Sequence, residues 1–149
     1  MNRQWDLLTV DMIDKYLGKP YWVIDILPKK VPLNSPGQYF KIEKYFLVQP
    51  QFATICRKFT NVLVKLNCYD DIKVCHNLEE WLINPSPEML EEWMHEGKML
   101  YFVLKESNAM IGFNGDDHYM TIYNPDEVLL ELIQLLATSE GLFVWKPET

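Results

Sequence analysis

Residues 99–123 read "MLYFVLKESNAMIGFNGDDHYMTIY", three apolar runs separated by "ESN" and "NGDD". Runs this short, rich in aromatic and branched side chains, have strand composition. Connections of three or four residues join antiparallel neighbours, because a parallel pair needs a crossover of a dozen residues or more. The stretch predicts a three-stranded antiparallel meander, so the rest of the chain has to supply the layer that covers it.

The helices of that layer can be read from spacing and end signals. Asn124-Pro125-Asp126-Glu127 offers an N-cap, a proline at the first helical position, an acidic first turn and a glutamate at N3. A helix from Pro125 to about Ser139 follows, stopping at Gly141 and leaving "LFVW" as a last strand. Upstream, Phe52, Ile55, Cys56, Phe59, Val62, Leu63 and Leu66 recur at i, i+3, i+4 and i+7, which predicts an amphipathic helix with basic outer faces. Leu7, Leu8, Met12, Ile13, Tyr16 and Leu17 predict a first helix ending at Gly18.

Between these lie "PYWVIDILP", a strand bounded by prolines, and "IKVC", a short strand. "YFKIEKYFLVQ" fits either a strand with Phe40 and Ile42 on one face or a short helix, the strand being favoured, and "LEEWLINPSPEMLEEWMHEG" reads as acidic helical turns split by Pro85 and Pro87. The expected fold class is α+β. One domain spanning 1–149 carries a mixed or mostly antiparallel sheet, with the C-terminal meander and about four helices packed on it.

Composition narrows the function classes. With 48% hydrophobic and 13% aromatic residues the chain can offset its ordering entropy by burial and needs no metal or disulfide to fold. No apolar run is long enough to span a bilayer, and Asp6, Asp11 and Asp14 interrupt any secretory core at the N-terminus, so the expected location is cytoplasmic. Three cysteines without a CxxC pair fit free thiols. A net charge of -7 argues against nucleic acid or an anionic membrane as partner. The charge is uneven: Met1 to Cys75 holds 11 Lys and Arg against 7 Asp and Glu, and His76 to Thr149 holds 3 against 14.

No phosphate-binding glycine loop, HExxH, EF-hand or GxSxG spacing occurs, and no cofactor is called for. Asp116, Asp117 and His118 have the donor chemistry of a divalent-cation site, with Asp70, Asp71 or Cys75-His76 as further ligands. The plainer reading is a hairpin tip in which Asn-Gly supplies a positive φ and the aspartates are turn residues. A nucleophile pair of Cys75 or Cys68 with a histidine has no supporting spacing. Asp25 is the lone charge in an apolar strand, which predicts either an exposed face, a pair with Lys29 or Lys30, or a tuned acid.

The largest functional candidate is the acidic stretch Glu79, Glu80, Glu88, Glu91, Glu92 and Glu96, interleaved with Trp81, Trp93 and Met89. Acidic clusters steer basic partners and aromatics anchor them. The favoured expectation is a non-enzymatic interaction domain that binds a basic protein through this surface, with Asp126, Glu127 and Glu131 as additions. The alternatives are a metal-assisted hydrolase built on Asp116, Asp117 and His118, and a self-associating structural subunit. The loop "LPKKVPLNSPGQYF" is a second candidate surface, and Tyr39, Phe40, Tyr45 and Phe46 beside it read as core.

Overall fold

Leu100 stands opposite Phe113, Phe102 opposite Ile111 and Leu104 opposite Ala109, so the three C-terminal apolar runs pair as the meander their spacing predicts. A computed structural model describes residues 10–75 and 81–147. In chain order its elements are α1 (Val10–Leu17), β1 (Tyr21–Asp25), α2 (Tyr39–Phe46), α3 (Gln51–Leu66), β2 (Ile72–Cys75), β3 (Trp81–Ile83), α4 (Pro87–Met94), β4 (Met99–Leu104), β5 (Ala109–Asn114), β6 (Tyr119–Tyr123), α5 (Glu127–Ser139) and β7 (Phe143–Trp145). The strands form one antiparallel sheet in the order β3-β2-β4-β5-β6-β1-β7. The fold is α+β, with the helices packed on the sheet.

The alternation of side chains along each strand divides the sheet into two faces. Leu100, Phe102 and Leu104, Ala109, Ile111 and Phe113, and Met120 and Ile122 point to the face covered by α3, α4 and α5. There α3 is the central helix: Phe52, Ile55, Cys56, Phe59, Val62, Leu63 and Leu66 are all buried, and Phe59 meets Phe113 with ring centroids 5.6 Å apart. Fully burying one such ring contributes about 1.5–3 kcal/mol. On the other face Ile13 and Tyr16 of α1 pack with Val103 and Met110.

Several local expectations are corrected. Residues 39–46 are a helix rather than a strand. Phe40 and Ile42 alternate for too short a span to exclude helical spacing, and the tertiary contacts use that spacing: Tyr39 and Glu43 face one neighbour, Phe46 the core. No residue of α2 is fully buried: Phe40 and Tyr45 are exposed and not core, whereas Phe46 is partly buried against the core. Residues 81–83 are a strand rather than helical turns, because they complete the ladder with β2, and Asn84, with φ 49°, turns the chain out of it. The N-cap of α5 is Asp126, whose Oδ1 accepts from Leu129 N at 2.8 Å, rather than Asn124, which has φ 63°. The C-terminal end of α5 is as expected: Leu142 N donates to Ala137 O across Gly141, which has φ 75°.

The β5–β6 tip also has a different basis. Gly115 does not take a positive φ; a β-carbon there would fall onto the backbone of Gly97, between α4 and β4. Glycine is required at 115 by close approach.

Candidate functional site

Asp25 ends β1 and is neither exposed nor paired with Lys29 or Lys30. It is buried, and its Oδ1 accepts from Ile26 N at 2.7 Å and from Nδ1 of His118 at 2.8 Å. His118 lies at the entry to β6, and the pairing of Asp25 with Tyr119 across β1 and β6 brings the two side chains together. The imidazole is 3% exposed. Its other nitrogen, Nε2, is 2.9 Å from the Tyr39 hydroxyl and 3.3 Å from Glu43 Oε2, and those two groups of α2 are themselves 3.0 Å apart.

This geometry dictates a proton arrangement. Asp25 Oδ1 accepts from a backbone N–H, so Nδ1 of His118 is the donor to it. When His118 carries a second proton, Nε2–H donates to Tyr39 and the Tyr39 hydroxyl donates to Glu43, satisfying every group. When that proton leaves, Tyr39 turns to donate to Nε2 and Glu43 loses its donor. Burial pulls the His118 pKa down, but the hydrogen bond and charge of Asp25 and the charge of Glu43 outweigh it, and the net shift is upward. Tyr39 is raised by burial and by the hydrogen bond and charge of Glu43.

An aspartate orienting an imidazole is half of a nucleophile-activating triad. The position a nucleophile would occupy, against Nε2, is filled by Tyr39 and Glu43. The arrangement is a latch that ties α2 to β1 and β6.

The metal alternative is not assembled by the fold. His118 turns inward to Asp25, Asp116 is exposed, and Asp117 is partly buried beside Tyr119. Burial raises the Asp117 pKa, with the charges of Asp116 and Glu43 adding and His118 opposing. Asp70 accepts from Glu106 N and Ser107 N at 3.0–3.2 Å, and Asp71 accepts from Asn84 Nδ2 at 2.8 Å. These lie beyond the C-terminal end of β4, whereas the β5–β6 tip lies at its N-terminal end. Among the described residues no group of three such side chains is placed to hold a metal ion. Cys56 Sγ points to Met94 O at 3.6 Å and Cys68 is exposed; His76 lies outside the described residues.

Of the acidic surface, Glu79 and Glu80 lie outside the described residues. Glu88, Glu91 and Glu92 are exposed on α4, and Glu96 follows it, 3.7 Å from Lys98. Trp93 packs against the main core and Trp81 against the α1 cluster, so both serve as internal anchors. Met89, read with the acidic stretch, is exposed on α4, and two further exposed apolar groups are ones that sequence reading missed: Leu82 and Ile83 on β3, the terminal strand of the sheet. Asp126, Glu127 and Glu131 are exposed on α5, which packs on α3 as α4 does, and Asp126 is committed to its cap. Sequence reading also missed Tyr39 and Glu43, since nothing local links them to a histidine 79 residues from Tyr39.

No family model matches this chain, and no curated protein or solved structure matches it either. Among the described residues no helix is long and apolar enough to cross a membrane.

Proposed function

We propose that this protein is a non-enzymatic interaction domain that binds a basic protein segment on the surface made by β3 and α4. The observation that carries this reading is the placement of Glu91 and Glu92. Both occupy the last turn of α4, which has no basic residue, and neither makes an ion pair among the described residues. A helix C-terminus carries partial negative charge, so each carboxylate there is unfavourable by about 0.3–1 kcal/mol. Among the described residues the carbonyls of this last turn meet the His95 imidazole, 2.8 Å from Glu91 O, and Cys56 Sγ, 3.6 Å from Met94 O. A chain serving its fold alone gains nothing from this arrangement, and a cationic partner relieves it.

The neighbouring apolar groups suit the same partner. Leu82 and Ile83 stand on a short terminal strand, and Met89 stands on the adjoining helix. An extended segment that adds itself beside β3 gains main-chain hydrogen bonds from an edge unpaired among the described residues, apolar contact from these three side chains and charge contact from Glu88, Glu91 and Glu92.

The test is titration of a peptide of alternating lysine and valine into the protein and into Glu91→Lys/Glu92→Lys, at low and high salt. Binding should weaken with salt and in the variant, whose unfolding free energy should stay level or rise by about 0.3–1 kcal/mol per site. Equal binding by both proteins would sink the proposal. A stable dimer abolished by Leu82→Lys would favour self-association at the same edge.

A further inference from the structure

The opposite end of the sheet holds a different kind of site. Between α2, α3 and the turn before β7 there is a cleft of about 300 Å³. That is the lower end of the range for small-molecule pockets, roughly 300–1,000 Å³, and many times the space of one water. Ile26, Leu27, Phe46 and Ile55 give it apolar walls, and Thr54 and Lys58 stand at polar positions along it. Thr54, Ile55 and Lys58 share a face of α3 because they are spaced by three and four residues.

Lys58 is the one charged group that lines the cleft, and it makes no hydrogen bond or ion pair among the described residues. It is half-buried against these walls, in a protein whose net charge is -7. An ammonium beside apolar walls has lost part of its hydration without gaining a counter-charge. The space also explains α2. That helix spans the cleft with Tyr45 and Phe46 yet buries no residue, because the volume beneath it is not filled by the chain.

We propose that this cleft binds a small alkyl carboxylate, its tail against Ile26, Leu27, Phe46 and Ile55 and its anionic head accepting hydrogen bonds from Lys58 Nζ and Thr54 Oγ1. Charge selects the class. A neutral alcohol of the same length fills the apolar walls and leaves the ammonium without its counter-charge, and an alkyl amine meets repulsion. The site is independent of β3 and α4, and its success or failure says nothing about the basic partner.

The experiment is isothermal titration calorimetry with octanoate as the probe and 1-octanol as its neutral counterpart. It is run on the whole chain and on Lys58→Met and Thr54→Trp, each checked for native circular dichroism. Thr54 is exposed, so the second substitution fills the cleft mouth without entering the core. Octanoate should bind the unmodified protein more tightly than 1-octanol. Its affinity should fall about tenfold in Lys58→Met, the loss of one charge-assisted hydrogen bond, and binding should disappear in Thr54→Trp. No octanoate binding, equal affinity for octanoate and 1-octanol, or binding unchanged in both variants would each overturn the proposal.

Discussion

The backbone of Gly97 occupies the space that a side chain on Gly115 would need. A β-carbon at 115 would sit 2.6 Å from the Gly97 carbonyl carbon, closer than real contacts allow, and both partners are main chain that cannot swing aside. The β5–β6 tip is thereby pressed onto the turn between α4 and β4. Gly115→Ala should destabilise the fold by about 1–3 kcal/mol through forced backbone displacement. The check is the urea midpoint at unchanged m-value; a variant as stable as the parent would show that the two turns do not hold each other.

The latch at His118 sets a pH dependence whose sign follows from its proton. The groups facing the imidazole are Asp25 from β1, Tyr39 and Glu43 from α2, and Asp117 and Tyr119 beside it in the chain. The folded pKa is raised above the ordinary value, so the stabilisation is complete below about pH 6.5 and is lost as pH climbs through the folded value. The stability difference between the parent and His118→Gln, followed by urea unfolding from about pH 5.5 to about pH 9, should therefore shrink toward alkaline pH. A flat difference would mean that the ring does not change its charge. Asp25→Ala, which leaves buried Nδ1–H without an acceptor, should cost about 3 kcal/mol. Because α2 buries nothing of its own, its amides should lose hydrogen-exchange protection before those of α3.

Thiol chemistry should sort the cysteines by environment. Burial pushes Cys56 up to about 12, which keeps it protonated and inert at neutral pH, whereas Cys68 is exposed beyond the end of α3. Cys75 is buried in β2. A thiol reagent added to the native protein should titrate one cysteine quickly, and all three only in denaturant. Two fast equivalents would contradict the burial of Cys56 or Cys75.

What could be read from the chain alone was what neighbouring residues decide. The periodicity of α3 and the short links of β4, β5 and β6 rest on contacts within a few residues or a single turn, and they appear where spacing places them. α2 was misread because its apolar residues fit two periods, and the deciding contacts come from His118 and the core. Asp25 was correctly singled out as an anomaly, but the partner that explains it is distant and belongs to a motif that looked like a metal ligand. Gly115 was assigned to the right turn for a local reason, when the true constraint is Gly97 across space. The acidic stretch was visible as charge, and its apolar companions Leu82 and Ile83 became distinct once β3 was placed at the sheet edge.

The position of β1 between β6 and β7 has a consequence for how the molecule is made. Asp25 and its histidine are 93 residues apart, and both sheet partners of β1 lie far downstream, β6 as the last strand of the meander and β7 after it. At roughly 5–20 residues per second, a ribosome needs roughly 5–20 s to deliver His118 after Asp25 has been added. Throughout that interval Val23 and Ile24 have no ladder to join and the carboxylate has no cation. The N-terminal half of this chain therefore emerges with an unpaired apolar strand that only the last third can cover, and a truncated or stalled product is the form most exposed to aggregation and to chaperone capture.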